Sequence, residues 1–250
     1  MKASRFHAPA GGSSHSTVRL LLVAALLLPA QQAAASECVA LLHGLFRSDK
    51  SMKKMEKQLS EAGFEVRNIG YDSTEHPVEV LAEATIPRAA EACESHSPIH
   101  FVTHSMCGIL LRQYLEENDI EQLGRVVMLG PPNQGSEVID RYRDLPGFSW
   151  FGGPAGLQLG TGEESIPRSL GSVTFDLGVI AGNRSINPIL SQSLPDSDDG
   201  KVSVESTRVE GMNDHLEMPV NHVFMMRNSE VIRQVIHYLD QGSFLREPAN

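Results

Sequence analysis

Basic clusters are missing from this 250-residue chain, which sets 21 Lys and Arg against 31 Asp and Glu for a net charge of −10. A surface of that sign repels nucleic acid and anionic lipid wherever no local cationic patch offsets it, so nucleic-acid binding is not expected. Long apolar runs are missing too. The run at residues 20–28 is about half of the ~20 residues that a membrane-crossing helix needs, and no later stretch is long enough. Cysteine is scarce, with Cys38, Cys93 and Cys107 allowing one disulfide and one remaining thiol. Metal-binding spacing is absent: none of the ten histidines belongs to an H-E-x-x-H or a paired Cys/His motif, so no metal is expected. The glycine-rich stretch Gly152-Gly153-Pro154-Ala155-Gly156 lacks the Lys and Ser/Thr of a phosphate loop. Internal repeats and coiled-coil heptads are also absent.

What is present begins with an N-terminal targeting pattern. Lys2, Arg5 and Arg19 precede the apolar run, which is followed by Pro29 and the small residues Ala33, Ala34 and Ala35. This predicts a signal peptide over 1–35, cleaved after Ala35, and a mature chain exported to the periplasm or secreted. Glu37 stands where a lipid-attachment site at Cys38 would want a small residue, which argues against lipidation. Export permits a disulfide, and Cys38 opens one strand-like run while Cys93 closes a helical segment just before another. A Cys38–Cys93 bridge is therefore expected if those strands are neighbours.

Residues 36–250 alternate short apolar runs with amphipathic segments, the pattern of parallel strands joined by helices in a single domain. Strands are predicted at 39–42, 64–69, 99–103, 126–129, 179–181 and 208–210. Helices are predicted after Met52, over 78–93 with a bend at Pro87, after Ser105, and at the end around Val231 to Leu239. Residues 145–170, rich in Gly, Pro and Ser, read as a long loop or a small cap or lid.

The chemistry centres on Thr103-His104-Ser105-Met106-Cys107-Gly108, where an apolar strand runs into a serine that starts a helix. A sharp turn there lifts the serine oxygen off the sheet edge and aims it at the helix N-terminus, whose amides stabilise developing negative charge. A serine hydroxyl is a poor nucleophile without a base, and that base needs an orienting carboxylate. Downstream stand Asp198 and Asp199 in a polar turn, then His215 and His222. We read Asp199 as the acid, with Asp198 as the alternative. We read His222 as the base because it precedes the apolar Val223-Phe224-Met225-Met226, whereas His215 sits in polar Asn213-Asp214-His215. The His43-Gly44-Leu45 segment ends an earlier strand, where a backbone N–H can form half of an oxyanion hole. Met106 N–H would form the other half.

Leu42-His43-Gly44-Leu45, Thr103-His104-Ser105-Met106, Gly130-Pro131-Pro132-Asn133-Gln134-Gly135-Ser136, Asp199-Gly200-Lys201-Val202 and His222-Val223-Phe224 together resemble the α/β-hydrolase superfamily, in particular its small exported bacterial lipases and esterases. The resemblance spans residues 38–244 and implies an α/β-hydrolase fold with a mostly parallel central sheet flanked by helices. It also implies a carboxylic ester hydrolase that needs no cofactor and takes a small-molecule or lipid ester. Ser105 would be the nucleophile, His222 the base and acid, Asp199 the orienting carboxylate, and Leu45 and Met106 the oxyanion donors. His104 would pack beside the elbow without a catalytic part. Acyl transfer, thioester or amide cleavage, or a non-catalytic binding role would fit the same fold. The departure is Cys107, where relatives usually carry Gly, so a Cβ and a sulfur must find room beside the turn.

Overall fold

The computed structural model describes Met1 and residues 36–145, 148–195 and 197–246, with the side chains of 148–151 excluded. The expected signal peptide lies outside the described residues. The chain divides into Met1–Ala33 and Ala34–Asn250, and the second unit carries every described element.

Strands β1 (Cys38–Leu42), β2 (Glu65–Ile69), β3 (Ile99–His104), β4 (Leu123–Leu129), β5 (Leu177–Gly182) and β6 (Asp214–Met218) form one sheet of six strands in the order β2-β1-β3-β4-β5-β6. Every neighbouring pair is parallel. Parallel strands need long crossovers, and helices α1 (Lys53–Glu61), α2 (Val78–Glu91), α3 (Met106–Glu117) and the closing α8 (Ser229–Gln241) cover both faces. Alternation along each strand assigns the faces. Cys38, Ala40 and Leu42 of β1 pack with Phe101, Val126 and Met128 under α2 and α3. Val39 and Leu41 pack with Val102, Val127 and Leu129 under α1 and α8. Both sides being covered explains why β1 reads as an unbroken apolar run and why β1 and β3 are each buried along their whole length.

One expectation is corrected. Residues 208–210 form no strand: only Val209 is apolar there, and the chain turns at Gly211 with φ +90°. The sixth strand is β6, which carries His215 at the sheet edge beside β5. Residues 145–170, expected as a long loop or a small cap or lid, contain helices. They hold α5 (Phe148–Leu157) and α6 (Ile166–Ser169), after α4 (Glu137–Tyr142). Helix α5 is kinked at Gly153 (φ 59°), where an added Cβ would lie 2.0 Å from the carbonyl oxygen of Thr74. A short α7 (Pro188–Ser191) follows β5.

Cys38 and Cys93 are disulfide-bonded with Cα atoms 5.7 Å apart, within the ordinary range for such a bridge, and the Cys38 N–H donates to the carbonyl of Pro98. The bridge therefore closes the end of β1 and β3 opposite to Ser105. A disulfide of this kind is compatible with an exported protein. No described helix is long and apolar enough to cross a membrane.

Candidate active site

Strand β3 ends at His104 and α3 starts at Met106, leaving Ser105 at φ 56°, ψ −127°. That conformation is strained for a residue with a Cβ and persists only where packing imposes it. Packing does so here. The Ser105 N–H is tied to the carbonyl of Leu129 in β4, and a Cβ placed on Gly44 would come within 2.9 Å of Ser105 Cβ and 2.8 Å of His104 Nδ1. Only glycine lets the chain after β1 pass so close to the serine.

Three distant segments meet at this turn. Ser105 Oγ lies 3.0 Å from His222 Nε2, and His222 Nδ1 lies 2.7 Å from Asp199 Oδ2. A carboxylate only accepts, so Nδ1 carries the proton towards Asp199 and Nε2 accepts from the serine hydroxyl. Asp199 is buried, and its other oxygen accepts from the backbone N–H groups of Lys201 at 3.0 Å and Val202 at 2.9 Å. The His222 N–H donates to the Asp199 carbonyl at 3.0 Å, holding the two residues together through main chain as well as side chain. Gly130, after β4, has φ 53°, and a Cβ there would sit 2.9 Å from Asp199 Oδ2 and 3.2 Å from His222 Nδ1. The bare backbone of Gly130 is what makes room for the pair.

The alternatives from the sequence fall elsewhere. Asp198 Oδ1 accepts from the Gly200 N–H at 2.6 Å and from the Ser191 hydroxyl at 2.8 Å, closing the turn that presents Asp199. His215, on β6, meets the Thr207 hydroxyl at 2.9 Å, and burial together with nearby Arg208 lowers its pKa to about 4.

Leu45 follows Gly44, and Met106 opens α3. Neither N–H makes a main-chain bond among the described residues, whereas Phe46 N–H is taken by the Ser73 hydroxyl at 3.2 Å. Both amides are thus available as donors beside Ser105. Behind them runs a chain of hydrogen bonds that the sequence did not disclose. The Cys107 thiol donates to Tyr71 Oη at 3.2 Å, and the Tyr71 hydroxyl donates to the His43 carbonyl at 2.8 Å. The His43 ring stacks on Tyr71 at 4.4 Å. Burial pushes the Cys107 thiol up to about 12 and the Tyr71 phenol well above its ordinary value, so both stay protonated and able to donate. Cys107 is accommodated as a link between α3 and the segment after β1. Protonated and fully buried, it is no nucleophile.

His104 does more than pack. Its Nε2–H donates to the carbonyl of His222 at 3.0 Å, and the two rings lie 4.8 Å apart. Complete burial, followed by the charge of His222 and then of Lys201 and Arg47, holds its pKa well below 6.5. A neutral imidazole therefore pins the backbone of His222.

The site opens into a cleft of about 340 Å³. Leu45, Phe46, Val138, Tyr142, Leu145 and Leu159 are among its apolar lining residues, and Ser105, His104 and His222 form part of its floor. The segment expected as cap or lid contributes Leu145, Gly152 and Leu159 to the wall. No group of three or more His, Cys, Asp or Glu able to hold a metal occurs among the described residues.

No family model matches the chain, and no curated protein matches it. Solved structures do. The mature lipase BlEst2 of Bacillus licheniformis superposes with a TM-score of 0.64 at 17% identity, covering 83% of this chain and 93% of that one. A structure from the metagenome-derived lipolytic enzymes LipS and LipT gives 0.57 at 15% identity, covering 83% and 95%. The esterase EaEST of Exiguobacterium antarcticum gives 0.54 at 13% identity, covering 83% and 93%. The chain has the α/β-hydrolase fold, the fold of these lipases and esterases.

Proposed function

We propose that this protein is an exported serine hydrolase that cleaves carboxylic esters. The observation that carries the reading is the continuous line from Asp199 through His222 to Ser105, with contacts of 2.7 and 3.0 Å, ending on a serine held at positive φ at the floor of an apolar cleft. The fold shared with lipases and esterases supports the same reaction class, while fold alone would not identify it.

In this reading Ser105 Oγ attacks the ester carbonyl as His222 Nε2 takes its proton, and Asp199 holds the imidazolium that results. The carbonyl oxygen becomes an oxyanion facing the Leu45 and Met106 N–H groups, which are fixed before the charge develops. Collapse of the tetrahedral intermediate breaks the ester C–O bond. The alcohol leaves with the proton from His222, and the acyl group stays on Ser105. Water then gives a proton to His222, attacks the acyl carbon and releases the carboxylic acid, returning the proton to Ser105. The neutral, buried His104 keeps the His222 backbone in place through both halves.

Export through cleavage after Ala35 belongs to the same proposal, supported by the targeting pattern of residues 1–35 and the Cys38–Cys93 bridge. The test is hydrolysis of p-nitrophenyl esters of increasing chain length by the wild type and by Ser105→Ala side by side. Turnover that the variant loses is expected. Equal activity of the two proteins would remove Ser105 from the mechanism.

A further inference from the structure

Among the described residues two cations line the cleft that holds Ser105, and neither has a partner side chain there. Arg47 follows the Leu45 turn, and Lys201 follows Asp199. Among the described residues neither side chain forms an ion pair or a hydrogen bond. Asp199, whose charge acts on Lys201, already spends its two oxygens on His222 and on the Lys201 and Val202 amides. Among the described residues no Asp or Glu lines the cleft, although acids outnumber bases by ten in the whole chain. The two cations also act on each other: the charge of Arg47 adds to burial in holding the Lys201 amine below its ordinary pKa. Like charges brought together in a half-buried, apolar cleft disfavour the empty site unless an anion joins them.

We propose that the ester cleaved at Ser105 carries an anionic group, a phosphate or a carboxylate, that binds between Arg47 and Lys201 while its acyl chain lies on the apolar wall. This rests on the serine-esterase reading and narrows it from esters in general to anionic amphiphilic esters. A guanidinium presents paired donors suited to a planar or tetrahedral oxyanion, and an ammonium adds a point charge from the side of the catalytic turn. The rest of the lining is largely apolar through Leu45, Val138, Ile139 and Leu159, and Phe46 and Leu145 at the cleft are solvent-exposed. A neutral ester would leave both cations uncompensated when it displaced water from them. An anionic one would satisfy them.

The experiment compares three esters short enough to stay monomeric: 1-hexanoylglycerol, 1-hexanoylglycerol 3-phosphate and O-hexanoyl-lactate. The readout is the ratio of kcat/KM for each anionic ester to that for the neutral one. A wild-type ratio of about tenfold or more for either anion is expected, falling at least fivefold in Arg47→Gln/Lys201→Gln. The anion that shows it identifies the group as phosphate or carboxylate. A smaller ratio for both anions, or a ratio that the double variant keeps, overturns the proposal. Calorimetric binding of 1-hexylglycerol 3-phosphate against 1-hexylglycerol, ethers that cannot be cleaved, separates this claim from the one beneath it. If none of the three esters is turned over and Ser105 fails to react with a fluorophosphonate, the esterase reading has failed. The anion claim survives that result only if the phosphate ether still binds more tightly than the neutral ether and the double variant abolishes the difference.

Discussion

The two ends of β1 and β3 are built in opposite ways. At one end Cys38 is covalently joined to Cys93, its N–H is bonded to Pro98, and His100 meets Glu37 at 3.2 Å. At the other end the same strands run out into Gly44 and Ser105, with Gly130 beyond β4, where backbones pass too close for a Cβ and a serine holds positive φ. The closed end limits the unfolded chain; the open end holds a strained arrangement in place. Separating the two lets a geometry that is unfavourable in itself be maintained by packing several residues away. It also implies that substitutions at the two ends should fail differently, one in stability and the other in rate.

The largest effect is expected at the open end. Ser105→Ala should lower kcat by more than about a thousandfold while leaving thermal unfolding nearly unchanged, since the small side chain is retained in outline. Asp199→Asn should come next, with a loss of about a thousandfold, because the amide favours the wrong imidazole tautomer. Asp198→Asn, one residue away, should lower unfolding temperature more than rate, and steady-state kinetics with calorimetry on the pair would distinguish them. At the closed end the order reverses. Cys38→Ser/Cys93→Ser removes a link spanning 55 residues and should cost about 2–5 kcal/mol in denaturant unfolding, with activity at 25 °C close to that of wild type. A large loss of rate in that variant would show that the two ends are coupled.

His104→Leu should have a moderate effect, removing the donor to the His222 carbonyl and lowering kcat about tenfold. His104→Gln, which can still donate, should recover part of the loss. The smallest effect concerns pH. His104 and His215 both have pKa values lowered by burial, so below their ordinary value of 6.5 the unfolded chain takes up protons that the folded chain refuses. Stability contributed by these rings is present above about pH 6.5 and falls as pH drops towards about 4, where folded His215 also protonates. Unfolding temperature should decline across that window, and His215→Gln should flatten part of the slope.

The elements that sequence reasoning reached are those whose pattern is local. Strands β1 and β4 end in continuous apolar runs because both faces of the sheet are covered, β3 carries Ile99, Phe101 and Val102, and α8 shows its buried stripe at Val231, Ile232, Val235 and Leu239. Strand β6 escaped because it lies at the sheet edge and reads Asp-His-Leu-Glu-Met, mostly half-buried, with no run of apolar residues to mark it. Helices α5 and α6 were hidden by the glycines and prolines inside them. As candidates, Ser105, Asp199 and His222 were legible from their order and surroundings. Their supports were not. Tyr71 reaches Cys107 across 36 residues and His43 across 28, and no local motif announces such a contact. Lys201 and Arg47 are 154 positions apart in the numbering and come together only in the folded cleft.

The account depends most on Ser105 being an activated nucleophile. The direct measurement is intact-protein and peptide mass spectrometry after exposing the folded chain to an organophosphonate ester probe. One adduct per chain, located on Ser105, absent in Ser105→Ala and formed much more slowly in His222→Gln, is the predicted result. A folded wild type that takes up no adduct, or takes it up on another residue at the same rate in all three proteins, would contradict it.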